Sequence, residues 1–350
     1  MAGHRGWLIA AIVAIGATVL ALGLAAAVSG PGPATVRVEP EVTFALPVAD
    51  GCGGATTLPG GSEEVPLTVS TVAGQVAESV NVCIDGQGPF PFVLDSGAGQ
   101  STIDAALGRR LHLSSAGPAG LFAGVGCTGT ARPLAVGSWS LDGVALAPQQ
   151  LTAATLPQIG GKGQPAGLLG ADVLARFGAV RIDFAGAALV LPGAEGAAPS
   201  GTAPYTGPLG PPPAVLTGGQ GTAVPVTVTP VEGQVSLSVA VRFAAGPRRS
   251  FVVDTGSSQS VVSTTVARAQ SLAGTDLAQR QATVCSVITV PLVHSGPWSV
   301  PGLPLRTQLV GETDFGTIGG TGTQGLLGSD QLKRYGWVVL DFAGGQMVLG

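Results

Sequence analysis

Apolar and polar residues alternate along much of the chain. Val80, Val82 and Ile84 alternate with Asn81, Cys83 and Asp85, a period of two that predicts a strand. Cys83 falls on the polar face of that strand, available to a partner outside the core. Residues 86–91 carry turn chemistry, and Phe92-Val93-Leu94 reads as a buried strand ending on Asp95. Residues 171–177 predict a short helix that stops at Gly178; residues 329–335, stopping at Gly336, predict its counterpart. Two terminal hairpins are expected, over 180–191 and 337–349. Thr35-Val36-Arg37-Val38 alternates too, and predicts one short strand before Pro40.

The pattern is duplicated. Val65-Pro66-Leu67-Thr68-Val69 returns as Val224-Pro225-Val226-Thr227-Val228, an offset of 159. At the same offset Gly74-Gln75-Val76 returns as Gly233-Gln234-Val235, and Phe92-Val93-Leu94-Asp95-Ser96-Gly97 as Phe251-Val252-Val253-Asp254-Thr255-Gly256. Trp139-Ser140 and Ile159-Gly160-Gly161 keep the register. It then slips by one residue, so that Gly167-Leu168-Leu169-Gly170 matches Gly325-Leu326-Leu327-Gly328. Chance does not hold a register this long.

The repeat sets the organisation. Two units are expected, at 62–192 and 220–350, joined by an extended Pro/Gly/Ala-rich linker at 193–219 that includes Pro211-Pro212-Pro213. A Gly/Pro-rich stalk occupies 29–61. Residues 6–28 form an uncharged apolar run behind His4 and Arg5. A run of that length can span a bilayer core about 30 Å thick. It is expected to be an uncleaved membrane anchor with the repeats outside the cytoplasm, the alternative being signal cleavage and secretion.

Composition narrows the classes. Of 350 residues, 45% are hydrophobic and 10% charged, with 56 Gly and 27 Pro, which favours strands and turns over long helices. The net charge is −4 and Lys/Arg residues do not cluster beyond two Arg pairs, so nucleic acid is not an expected partner. His4, His112 and His294 make no metal pattern, and no cofactor is implied. Gly124-Val125-Gly126-Cys127-Thr128-Gly129 fits the dinucleotide fingerprint, but residues 130–136, with Pro133 among them, read as loop or strand rather than the required helix. No G-x-S-x-G elbow is present, which disfavours a serine hydrolase.

The chemistry lies in Asp95-Ser96-Gly97 and Asp254-Thr255-Gly256. Alone, either tripeptide is an ordinary turn. Here the two occupy equivalent positions, each followed about 70 residues on by Gly-Leu-Leu-Gly. Two carboxyls within hydrogen-bond reach share one proton, because their charges repel. The ionised one can then activate water while the protonated one polarises a carbonyl. A two-fold repeat brings such a pair together at its axis. Gly97 and Gly256 allow the tight loops this needs, and the hydroxyls of Ser96 and Thr255 can bond across the lobes.

These motifs resemble the aspartic proteases of the pepsin and retropepsin clan, and Gly-Leu-Leu-Gly-x-Asp, with Asp172 and Asp330, resembles bacterial retropepsin-like proteins. The short units look like two retropepsin-like subunits fused in one chain. The resemblance implies a mainly β fold of two pseudo-two-fold-related β-barrel lobes with short helices, beside the N-terminal membrane helix. It implies a monomeric endopeptidase that cuts an extended polypeptide substrate with catalytic Asp95 and Asp254. The alternative is an inactive peptide-binding or envelope protein on the same fold. The flap tyrosine of pepsins has no match; the candidate flap is 120–130, with Gly124 and Gly126, and its counterpart around Cys285 lacks those glycines. Four cysteines allow three pairings, and the expected one is Cys52–Cys83 with Cys127–Cys285. The second pair occupies nearly equivalent positions of the two units, so it is expected to bridge the lobes; two free thiols are the alternative.

Overall fold

The computed structural model describes residues 36–39, 44, 46, 51–157, 164–196, 204, 214–217, 221–231, 233–244, 246–315 and 322–350. The expected anchor, the proline triplet and much of the stalk lie outside them. Among the described residues no helix is long and apolar enough to cross a membrane. Residues 36–350 form one compact unit.

The unit is mainly β, and its repeats build matching sheets. In the first, Gln75–Ile84 pairs antiparallel with Gln87–Asp95; Gly167–Gly170 then runs parallel to Phe92–Asp95 and antiparallel to Thr102–Ile103. In the second, Gln234–Phe243, Arg248–Asp254, Gly325–Gly328 and Val261–Ser263 adopt the same plan. The apolar pair of each Gly-Leu-Leu-Gly explains its place. Leu169 and Leu327 are fully buried, each worth about 1.5–3 kcal/mol of removal from water. The flanking glycines leave room for the neighbouring strands. A Cβ on Gly170 would lie 2.8 Å from the Ala98 carbonyl, and one on Gly328 would lie 2.6 Å from that of Ser257.

A third sheet belongs to both repeats. Its strands run Glu63–Pro66, Ala188–Leu191, Ala179–Asp183, Trp337–Asp341, Gln346–Leu349 and Thr222–Val231, all antiparallel. The central register pairs Ala179 with Asp341, Asp183 with Trp337, and Arg181 with Val339. Arg181 and Val339 are equivalent positions of the two repeats, so the pseudo-two-fold axis passes between them. The helices expected near 171 and 329 are α-helical over Ala171–Leu174 and Ser329–Leu332, each followed by one 3₁₀ turn. Gly178 (φ +73°) and Gly336 (φ +78°) end them in a conformation that costs glycine little.

Three stretches differ from expectation. Arg37–Glu39 is a strand, as the alternation predicts, but it adds in parallel to Leu277–Gln279 of the second repeat. Cys83 lies opposite the core face of its strand yet is buried, because the segment carrying Cys52 covers it through the Cys52–Cys83 disulfide. The linker is not wholly extended. Ala214–Thr217 forms a helical turn whose Leu216 is buried with Ala179, Val190, Val339 and Val348, so hydrophobic burial overrides the local Pro/Gly composition.

Candidate active site

Asp95 and Asp254 each end a strand, and the structure brings each carboxyl against the loop that carries the other. The loops beyond them are locked by a two-fold set of bonds. The Ser96 amide donates to Thr255 Oγ1 at 3.0 Å, and the Thr255 amide donates to Ser96 Oγ at 3.1 Å. The two hydroxyls donate in turn to the carbonyls of Val253 (2.8 Å) and Leu94 (2.7 Å). All of these groups are buried, so each bond is protected from exchange with water. Two further bonds tie each lobe to the opposite loop: Val76 N to Ser258 O, and Val235 N to Gly99 O, both 3.0 Å.

The carboxyls are not equivalent. Asp95 Oδ1 accepts from the amides of Gly97 (3.0 Å) and Ala98 (2.9 Å), and Asp254 Oδ1 accepts from Ser257 N at 2.9 Å. Burial raises the pKa of Asp95, while those amides and the bond to Asp254 pull it back. Burial raises Asp254 much further, and the neighbouring Asp95 charge and the bond to Asp95 add to the rise. The pair therefore titrates in two separated steps and shares one proton between them.

Gly97 and Gly256 are placed for close approach. A Cβ on Gly97 would stand 2.5 Å from Asp254 Oδ1, and one on Gly256 would stand 2.5 Å from Asp95 Oδ1. The nearest atoms at Gly97 are all in the Asp254 carboxyl, so Gly97→Ala displaces a catalytic candidate rather than a backbone. We expect it to lower kcat/KM by about 10²-fold through misplacement alone, with the melting temperature nearly unchanged. Steady-state kinetics beside thermal unfolding check this; a large loss of stability would contradict it.

Two acid–serine pairs support the loops from behind. Asp172 Oδ1 accepts from Ser101 N (2.8 Å) and Ser101 Oγ (2.7 Å), and Asp330 Oδ1 accepts likewise from Ser260 (3.0 and 2.7 Å). The serine hydroxyls accept from Gly170 N and Gly328 N. Sequence reasoning placed Asp172 and Asp330 in a motif but assigned them no partner. It missed Glu78 altogether. Glu78 is fully buried, its Oε2 lies 2.8 Å from Ser329 Oγ, and its Oε1 has no hydrogen-bond partner. Ser329 Oγ also donates to the carbonyl of Thr255, at 3.1 Å. A signal existed: Glu78 stands on the apolar face of its strand where the second repeat has Leu237.

The candidate flap is a hairpin of Gly120–Gly124 and Cys127–Val136, and its counterpart pairs Gly274–Ala282 with Val287–His294. Their tips meet and are joined by the Cys127–Cys285 disulfide. Gly124 and Gly126 lie at this junction. A Cβ on Gly124 would stand 3.3 Å from Cys285 Sγ, and one on Gly126 would stand 3.3 Å from Ile288 Cδ1.

Residues 80–173 match a family described as aspartyl protease. That segment holds Asp95, Gly97 and Gly167–Gly170, which supports the aspartic-protease reading of these motifs. No curated protein matches the chain. Among solved structures, an aspartic proteinase from Irpex lacteus is 11% identical over 83% of this chain and 97% of its own, with a TM-score of 0.45. The structure of edgp is 12% identical over 84% of this chain and 95% of its own, with a TM-score of 0.44.

Proposed function

We propose that the protein is an aspartic endopeptidase that hydrolyses peptide bonds of exported or cell-envelope polypeptides with Asp95 and Asp254. The observation that carries this reading is the pair of carboxyls, Asp254 buried and Asp95 half-buried, set side by side on a two-fold set of hydrogen-bonded loops. Asp95, ionised, takes a proton from a water held between the carboxyls. Asp254, protonated, donates to the carbonyl oxygen of the scissile bond as that water adds to its carbon. The tetrahedral species then collapses when a proton reaches the departing amine. The rigid loops hold both groups in place before substrate arrives, which lowers the cost of ordering them at the reaction. Two disulfides support action in an oxidising compartment, and the apolar run at 6–28 supports attachment to a membrane. Both halves of the site lie in one chain, so a monomer suffices.

Cleavage of a diverse peptide library by the full chain across pH tests the proposal. A bell-shaped kcat/KM profile is expected. Activity falls at low pH as Asp95 gains a proton, and at high pH as Asp254 loses its own. Both pKa values are raised, so both limbs lie above the ordinary carboxylate titration. Absence of cleavage at every pH from a folded sample would overturn the proposal.

A further inference from the structure

The two hairpins are fastened to each other, and this bears on which polypeptides can reach the aspartates. Cys127 lies at the turn of the first hairpin, and Cys285 within the 283–286 turn of the second, which a Thr283 N–Ser286 O bond of 2.7 Å closes. The bridge closes a covalent loop from 127 to 285, and Asp254 is a member of that loop. Val125, at the first tip, packs on Val252, Val261, Phe315 and Leu326 of the second lobe. Val252 precedes Asp254 by two on one strand, so the side chains of the two share a face. The bridged tips thus stand over the face from which the Asp254 carboxyl projects. Below, the loops carrying the aspartates are bound together through Ser96 and Thr255. The lobes are joined again by the shared sheet. Floor, lobes and bridged tips form a closed ring.

Resting on the proposed peptidase activity, we infer that the substrate is an unfolded polypeptide with a free end, threaded between the aspartates and the Cys127–Cys285 bridge. A chain lying across Asp254 under the tips passes through the loop that the bridge closes. With the bridge intact, the hairpins cannot part to admit a segment sideways. A chain without ends, or a loop held in a folded domain, is excluded. An extended chain with a free terminus enters once the tip carrying Val125 lifts. Gly124 and Gly126 beside it give the tip the backbone freedom for that movement.

The test uses one cleavable sequence in two forms, a linear peptide and the same peptide closed head to tail. It uses the full-length oxidised protein and the C127S/C285S double variant, in which the Cys52–Cys83 bridge remains. The oxidised protein is expected to cut the linear form and to cut the cyclic form at least about 100-fold more slowly. The double variant is expected to cut both. Wild-type protein treated with a dithiol, which gives two electrons and two protons to the Cys127–Cys285 bond as its own disulfide forms and so leaves two protein thiols, should behave as the variant does. This guards against a variant that does not fold. Efficient cutting of the cyclic form by the oxidised protein would overturn the inference. So would refusal of the cyclic form by both the variant and the reduced protein, or cutting of the linear form only after the bridge is opened. Failure of every form to cut the linear peptide would instead overturn the peptidase reading, and this inference with it.

Discussion

Asp254→Asn is expected to lower peptide hydrolysis by about 10³–10⁴-fold, the scale of a positioned acid–base group, while leaving the fold intact. In the proposed mechanism Asp254 carries the shared proton, in keeping with burial and the Asp95 charge, which both raise its pKa. An amide in its place fills the same space but has no such proton to give. It also removes the group that makes Asp95 the ionised partner, so base and acid are lost together. Stability should not suffer, since a buried carboxyl with a raised pKa weakens the folded state as pH rises. Initial rates on a cleaved peptide, beside thermal unfolding of both proteins, check the two halves of this expectation. A variant that retains more than about a tenth of wild-type turnover would remove Asp254 from the chemistry.

The second large effect concerns Glu78 and the pH dependence of stability. Burial raises its pKa from 4.5 to about 8, against smaller opposing effects of Ser329 and Lys333; Asp330 nearby adds to the rise. The folded protein therefore keeps a proton that the unfolded chain releases above 4.5. The stability this group permits is fully present below pH 4.5 and is lost as pH rises through 8. At about 1.4 kcal/mol per pH unit the loss is on the order of 4–5 kcal/mol, a large share of the margin of an ordinary domain. Glu78→Gln keeps the shape and a donor toward Ser329 Oγ, and has nothing to titrate. Other buried carboxyls, Asp172 and Asp330 among them, are raised as well and tilt both proteins alike. The informative quantity is thus the difference between the two proteins in urea unfolding at stepped pH. It should widen in favour of the variant from pH 5 to pH 8. Parallel curves would place the Glu78 proton elsewhere.

Much of this site is legible in the sequence because its parts are local. Asp95-Ser96-Gly97 and Gly167-Leu168-Leu169-Gly170 each carry their chemistry within a few residues, and the repeat states that each occurs twice. The Cys127–Cys285 pairing accords with that symmetry, since equivalent positions meet at an axis. What escapes reading is where the two repeats stop being copies. Glu78 and Ser329 replace what are Leu237 and Ala171 in the other half, and only packing across the lobes shows that the replacements face each other. The docking of Arg37–Glu39 on the second repeat escapes for a related reason. A three-residue strand has too little pattern of its own to name a partner more than 200 residues away. Leu216 is similar: one apolar residue in a Pro/Gly-rich stretch does not announce that the shared sheet will bury it.

On the proposed function, the shared sheet also sets when during synthesis activity can arise. Ala179–Asp183 pairs on one edge with Ala188–Leu191 of its own repeat, but its other edge is met by Trp337–Asp341 of the second, and Asp95 meets Asp254 across the same axis. Closing contacts this distant in the chain is slow compared with local pairing. A nascent chain whose first repeat has already emerged therefore holds one aspartate, an unpaired strand edge and no acid–base pair. On the proposed function, hydrolytic competence then waits until the second repeat has been made, which keeps a partly made chain harmless to the machinery that makes it.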